Sequence, residues 1–212
     1  MIAPEDFVLR HTAWQRSPLV PEIELTLASE ITPIWQATES WLKREGIEPP
    51  FWAFAWPGGL AMARHIIDHP ETVAGKRVLD FAAGCGIAAI AAAISGAAAV
   101  SAAEIDPLAI AAIGLNSARN QVVLELLAGD IVGTLNRWDM VLCGDICYEA
   151  PMTRHILPWL QRLSRASQVW IADPGRAYLP RQGVTEFARY EVPTTRELED
   201  HDFRTTRLLQ LG

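Results

Sequence analysis

Apolar positions along this chain fall into two periods, and the switch between them lays out the elements. Residues 22–27 alternate, with Ile23, Leu25 and Leu27 on one side, as a half-buried strand does. Residues 33–45 space Ile34, Thr38, Trp41 and Leu42 as a helix would, and Gly46 ends the run. Residues 59–68 read as a second helix stopped by Pro70. Beyond it, short apolar runs at 78–80, 99–103, 121–127, 139–143 and 168–172 alternate with helical stretches at 87–94, 106–120 and 152–164. Asp106-Pro107 opens the second of these as an N-cap with proline at N1. The end of the chain reads as a helix at 178–188 and strands at 190–193 and 203–211, with a polar loop at 194–202.

Strands that are apolar throughout, alternating with helices, predict a mostly parallel sheet covered on both faces. The last two strands predict an antiparallel edge hairpin. The expected fold is α/β, a Rossmann-like seven-strand sheet, in one domain spanning residues 1–212. Residues 1–58 form its N-terminal extension and residues 59–212 its core.

Residues 76–106 carry the first chemistry. Val78-Leu79 ends on Asp80; Ala82-Ala83-Gly84-Cys85-Gly86 makes a turn free of bulk; an Ala/Ile run follows; a strand closes on Glu104. That is one βαβ unit with an acid at the end of each strand. The glycines let a ligand approach the backbone, and the helix start offers free N–H groups. Glu104 lies about 20 residues past the turn, where a carboxylate takes ribose hydroxyls. Gly84-x-Gly86-x-x-Ala89 also satisfies the relaxed dinucleotide pattern, so NAD competes here. A pyrophosphate would settle where Asp80 repels it, whereas the sulfonium and ammonium of S-adenosylmethionine are drawn to a carboxylate. Asp80 therefore favours S-adenosylmethionine. These residues resemble motif I of the seven-strand (class I) methyltransferases, with Ala82 in place of the first motif glycine.

Composition narrows the class. The 212 residues carry a net charge of −7 without a basic cluster, which disfavours nucleic acid and suits a basic protein segment. Half the residues are hydrophobic, yet no run has the length of a membrane span, and the N-terminus reads as neither signal nor transit peptide. Three cysteines without metal spacing predict free thiols in a reducing cytoplasm. The five histidines show no paired metal spacing, and no metal is expected. A monomer is the expected state.

Three further groups stand at predicted strand ends or in the aromatic stretch. Asp130 could accept the exocyclic amine of adenine, or simply make an Asx turn. Asp145 could accept N–H bonds from an attacking lysine amine and orient its lone pair, with Tyr148 shaping the channel; alternatively Asp145 caps a turn and Tyr148 packs. Trp52, Phe54 and Trp56, before Pro57-Gly58-Gly59, could flank a cation or merely cover the sheet edge.

Taken together, PFWAFAWPGG, VLDFAAGCGIAAIAA, EIDPLAI, VLCGDICYE and ADPGRAYLPR resemble the electron transfer flavoprotein β-subunit lysine methyltransferases, bacterial type, from Pro21 onward. The resemblance implies an S-adenosylmethionine-dependent protein-lysine N-methyltransferase acting on the β-subunit of electron transfer flavoprotein. A ribosomal stalk protein is a further implied substrate. It implies that Asp80, Gly84, Glu104 and Asp130 hold the cofactor with Trp56 flanking it. Ala82, Gly86 and Ile105, beside them, complete the cofactor set, in which Asp145 also counts. Asp145 and Tyr148 match the D-x-x-Y pair near the accepting amine. The competing readings are a methyltransferase of a ribosomal protein or small molecule, and a non-catalytic NAD- or nucleotide-binding module.

Overall fold

A computed structural model describes residues 2–29, 49–194 and 201–212. The helix expected at 33–45 and most of the loop expected at 194–202 lie outside the described residues.

Five parallel strands carry the molecule: β3 (Arg77–Phe81), β4 (Ala99–Glu104), β5 (Glu125–Ala128), β6 (Met140–Gly144) and β7 (Gln168–Asp173). Two antiparallel strands, β8 (Val184–Pro193) and β9 (Phe203–Leu211), complete a seven-stranded sheet in the order β5-β4-β3-β6-β7-β9-β8. The closing pair is the expected hairpin, and its second strand slots between β7 and the outer β8. The chain leaves β3 toward β4 and β5, then returns to β6 on the other side of β3. The strand order thus reverses beside β3, and in such sheets the crevice at the carboxyl ends there takes the ligand.

Alternation within each strand decides which layer it feeds. Val78, Met140, Leu142 and Trp170 pack against helices α2 (Pro57–Asp68) and α3 (Ile87–Ile94). Leu79, Val141, Cys143 and Ile171 face the other way, onto Ile156, Trp159 and Leu160 of α5 (Ala150–Leu163). Ala88, Ala89, Ala91 and Ala92 of α3 are buried because the helix packs close on β3 and β4 and beside α2, where larger side chains would hold it off. Helix α4 (Pro107–Arg119) starts as expected: Asp106 accepts the Leu108 N–H at 2.8 Å, with Pro107 in the first turn.

Before the sheet come elements the hydrophobic pattern did not indicate, helix α1 (Pro4–His11) and strand β1 (Ala13–Ser17), which pairs with β2 (Val20–Leu27). Asparagines of α4 hold this hairpin in place. Asn116, fully buried, accepts the Thr26 N–H at 2.7 Å and donates to Cys85 O at 2.9 Å. Asn120 accepts the Glu24 N–H and donates to the Glu24 carbonyl. The N-terminal unit is therefore bonded, through Asn116, to the glycine turn of the first βαβ unit.

Two expected elements change. No helix forms at 178–188: Gly183 turns the chain at φ 71° and β8 begins at Val184, pairing with β9. Nine ladder pairs, with a bulge at Phe187, outweigh a helical spacing that was short and interrupted by glycine. The third strand is shorter than 121–127. Gln121 is left-handed at φ 57°, and only Glu125–Ala128 pair, because β5 is an edge with a neighbour on one side.

Candidate active site

The crevice at the carboxyl ends of β3 and β6 holds most of the expected site residues. Asp80, 2% exposed, is the next-to-last residue of β3 and accepts the Ala89 N–H at 2.9 Å, satisfying an orphan donor in the first turn of α3. Glu104 ends β4, accepts the Gly84 N–H at 3.1 Å, and takes the Ile105 N–H at 2.7 Å with its other oxygen. The glycine turn lies between the two acids. Gly84 (φ 54°) and Gly86 (φ 78°) are left-handed, and at Gly84 the space beyond the backbone is open. Ala82 is also left-handed, at φ 53°. The turn thus demands at position 82 the conformation a glycine adopts freely, and this chain holds an alanine in it under strain.

Burial, the Ala89 bond working against it and nearby Glu104 adding to it, pushes the Asp80 carboxyl up to about 8. Burial raises Glu104 as well. Among the described residues no ion pair reaches either acid. A buried carboxyl beside a partly buried one, without a cation, is costly unless a ligand supplies positive charge or hydroxyls. The cleft that Asp80 lines runs over Gly84 and Ala88 to Phe54, Trp56 and Gly144. Its chemistry suits a cationic nucleoside and opposes a pyrophosphate, so the residues fit S-adenosylmethionine.

On the far side of that cleft, α2 begins against the ends of β6 and β7. A Cβ on Gly58 would stand 2.5 Å from Ala172 O and 2.5 Å from Asp145 Oδ2, and one on Gly144 2.9 Å from Gly59 N. This close approach requires a glycine at position 58 and another at position 144. The Gly58 N–H donates to Asp145 Oδ2, and Asp145 Oδ1 takes Arg176 Nε at 3.0 Å and Nη2 at 2.7 Å. Asp145 is itself left-handed, φ 53°, and 8% exposed. Burial raises its carboxyl to about 6, against the opposing pull of Arg176. Three residues on, Tyr148 is 41% exposed, with its ring 5.4 Å from Phe51. Burial, with Glu149 and Glu104 near, keeps its phenol neutral by raising it.

The aromatic stretch divides. Trp52 is 2% exposed and packs with Val8, Ala28 and Ala109, so it is core and not part of the site. Phe54 and Trp56 reach the cleft, their rings 6.0 Å apart, and Trp56 Nε1 donates to Phe51 O at 2.7 Å. Asp130 lies on the rim beyond β5. One oxygen makes the Asx turn to Val132 N–H, and the other meets His155 Nε2 at 2.8 Å. Those two bonds lower its carboxyl. Ile105 is 72% exposed beside Glu104.

Sequence reasoning gave no role to Arg176, His155 or Phe51. Their partners are 31, 25 and 97 residues away, and only the charge opposite each acid could have hinted at the first two.

A family model described as ribosomal protein L11 methyltransferase (PrmA) matches residues 63–157. The electron transfer flavoprotein beta subunit lysine methyltransferase of Xenopus laevis is 40% identical over 93% of this chain and 82% of the relative. The chain belongs to the electron transfer flavoprotein β-subunit lysine methyltransferase family. The Danio rerio family member is 34% identical over 93% of this chain and 79% of its own. Solved structures extend the likeness at the level of fold. Magnesium protoporphyrin IX methyltransferase from Synechocystis, with bound S-adenosylmethionine, has a TM-score of 0.54 at 15% identity, covering 72% of this chain and 79% of that one. The Pyrococcus abyssi tRNA (uracil-54, C5)-methyltransferase, with S-adenosylhomocysteine, has a TM-score of 0.58 at 15% identity, covering 94% and 44%. The crevice of this family member is thus the part of a methyltransferase fold in which the strand order reverses.

Proposed function

We propose that this protein transfers methyl groups from S-adenosylmethionine to lysine amines of the β-subunit of electron transfer flavoprotein. The carrying observation is the pair of acids around the glycine turn, buried Asp80 and partly buried Glu104, which no cation reaches among the described residues, beside a cleft that runs from Asp80 to Trp56 and Gly144, next to Asp145. Family membership supplies the acceptor. Bound there, S-adenosylmethionine would supply an activated methyl group on a sulfonium.

The residues of the chain do the rest. Glu104, held by its backbone partners, would accept from ribose hydroxyls, and Asp80 would balance the positive charge of the cofactor. Ala82, Gly84 and Gly86 keep the floor of the cleft nearly free of side chains, while Ile105 would pack against the base and Asp130 would accept from the adenine amine. Trp56 and Phe54 close the cleft from above and exclude water. Asp145 keeps lone-pair capacity beyond its bonds to Gly58 and Arg176 and accepts an N–H of the incoming amine, orienting its lone pair. Tyr148, with Phe51, walls the channel by which a lysine reaches it. In-line displacement at a sulfonium calls for positioning and no Lewis acid, so activity should persist in a metal chelator.

The match to the ribosomal protein L11 methyltransferase model favours a second acceptor, a ribosomal protein such as the stalk protein. A reducing cytoplasm suits the three free, buried cysteines, and a monomer completes the reading. Among the described residues no helix is long and apolar enough to cross a membrane.

The test is methyl transfer from labelled S-adenosylmethionine to purified electron transfer flavoprotein and to a cell extract, read by mass spectrometry. Label on lysines of the β-subunit is expected. Label confined to another protein or a small molecule would refute the acceptor, and S-adenosylhomocysteine binding without any label would refute the transferase reading.

A further inference from the structure

The end of β7 makes a connection that the reaction as described does not use. Asp173 is fully buried, and its Oδ1 accepts both the Gly175 and the Arg176 N–H at 2.6 Å. That fixes the backbone from which the Arg176 side chain springs. The guanidinium then crosses to Asp145 Oδ1 with two N–H groups, at 3.0 and 2.7 Å, and lies 5.8 Å from the Trp56 ring centroid. The other Asp145 oxygen takes the Gly58 N–H. One carboxylate therefore ties together the ends of β6 and β7, the first turn of α2 and the aromatic wall. Arg176 is the cation in that junction.

We propose that Arg176 is a positioning residue for methyl transfer, clamping Asp145 as an aimed carboxylate and bracing Trp56 over the cleft. This rests on the methyltransferase reading. Two guanidinium N–H groups converging on Oδ1, with the Gly58 N–H on Oδ2, hold the carboxylate at both oxygens, and the planar guanidinium brings its two donors to Oδ1 in a fixed relation that a rotating ammonium lacks. They leave the remaining acceptor capacity of Oδ2, beside Gly58, for the substrate. Among the described residues the titratable groups facing Asp145 are Arg176 and Asp173 from the β7 end and Cys147 from its own turn, while α2 meets it with the Gly58 N–H. Asp173 and the desolvated surroundings oppose ionisation, and Arg176 favours it, so removing Arg176 leaves the opposition unbalanced. The carboxyl would then carry a proton at neutral pH and lose the capacity to orient an amine as a pure acceptor.

The experiment compares wild type, Arg176→Gln and Arg176→Lys. The logarithm of kcat/KM should rise with pH at slope one as the amine sheds its proton, and at slope two below the pH where Asp145 must also ionise. For wild type the break belongs near 6, where Asp145 is held. Loss of an adjacent cation moves a carboxyl by about one to three units, so the break in R176Q should move up by that amount. A two-unit shift implies about a tenfold loss of kcat/KM at pH 7. R176K should return the break toward its wild-type position and recover only part of the rate, since it restores charge without the fork. Thermal unfolding and the far-ultraviolet circular dichroism spectrum serve as folding controls. Carboxyl 13C NMR of aspartate-labelled protein, with Asp145 assigned through Asp145→Asn, reads the same midpoint without turnover. An Asp145 midpoint that does not move in R176Q overturns the clamp. A midpoint that moves in a protein whose wild type transfers no methyl group would leave the clamp standing and remove the transferase reading. An unshifted profile with full rate in R176Q would also overturn the proposal.

Discussion

The close approach of α2 to the sheet can be tested at one atom. In Gly58→Ala the new Cβ would lie 2.5 Å from Ala172 O, 2.5 Å from Asp145 Oδ2 and 2.6 Å from Asp145 N. Ordinary contact needs about 3.5 Å, so one side must retreat by roughly 1 Å. Two of the three atoms are backbone inside or beside buried strands and cannot rotate away. The helix start must lift, and the Gly58 N–H leaves Asp145. A hydrogen bond to a charged group contributes about 1.5–3 kcal/mol, and overpacking costs about 1–3 kcal/mol. Alanine returns up to about 1 kcal/mol of helix propensity. The net loss is about 2–5 kcal/mol. For a domain of this size each kcal/mol lowers Tm by roughly 2–4 °C, so a fall on the order of 10 °C is expected. Gly59→Ala is the internal control: its Cβ would meet a single side-chain methyl, Ile87 Cγ2, at 3.1 Å, which needs to give by only a few tenths of an ångström and touches no backbone. Thermal and urea unfolding of both variants, followed by circular dichroism, decide the matter. A G58A protein as stable as wild type, or a G59A protein less stable than G58A, would refute the reasoning.

Three other outcomes follow from the site. Asp80 is held up to about 8 in the folded chain and is an ordinary carboxyl, near 4, when unfolded. Between those values the folded state keeps a proton the unfolded state has lost, so ligand-free protein should lose stability as pH rises from about 4 to 8. Asp80→Asn retains an oxygen for the Ala89 N–H, so it should remove that loss, raising Tm at pH 8, while weakening S-adenosylhomocysteine at least about tenfold by calorimetry. Unchanged affinity would deny Asp80 its place in the cofactor site. Ala82→Gly relieves a left-handed alanine worth about 1–2 kcal/mol and adds about 0.4–1 kcal/mol of unfolded-chain entropy. Urea unfolding should show it neutral to more stable by about 1 kcal/mol, against the usual direction of that exchange. Asp145→Asn should bind S-adenosylhomocysteine within a few-fold of wild type and lose methyl transfer by about two orders of magnitude, and near-normal turnover would return Asp145 to a turn cap.

What could be read from the sequence is what neighbours along the chain decide. The turn from Asp80 to Ile87, the Asp106 cap and the alternation that sorts Val78 from Leu79 all depend on local φ, ψ preferences and on side-chain period. The acids at strand ends followed from the same alternation, because a parallel strand hands its last residue to the crevice. The shape of the C-terminus was not local. Residues after Val184 are strand because β9, about 20 residues on, offers them a ladder, and Gly183 was the one local sign. The junction around Asp145 was further out of reach. Its partners come from Gly58, 87 residues before it, and Arg176, 31 after it. Nothing in either segment states that they meet. They meet because packing α2 on the ends of β6 and β7 removes water from one carboxylate, and a buried charge keeps its place only where donors from several elements converge on it.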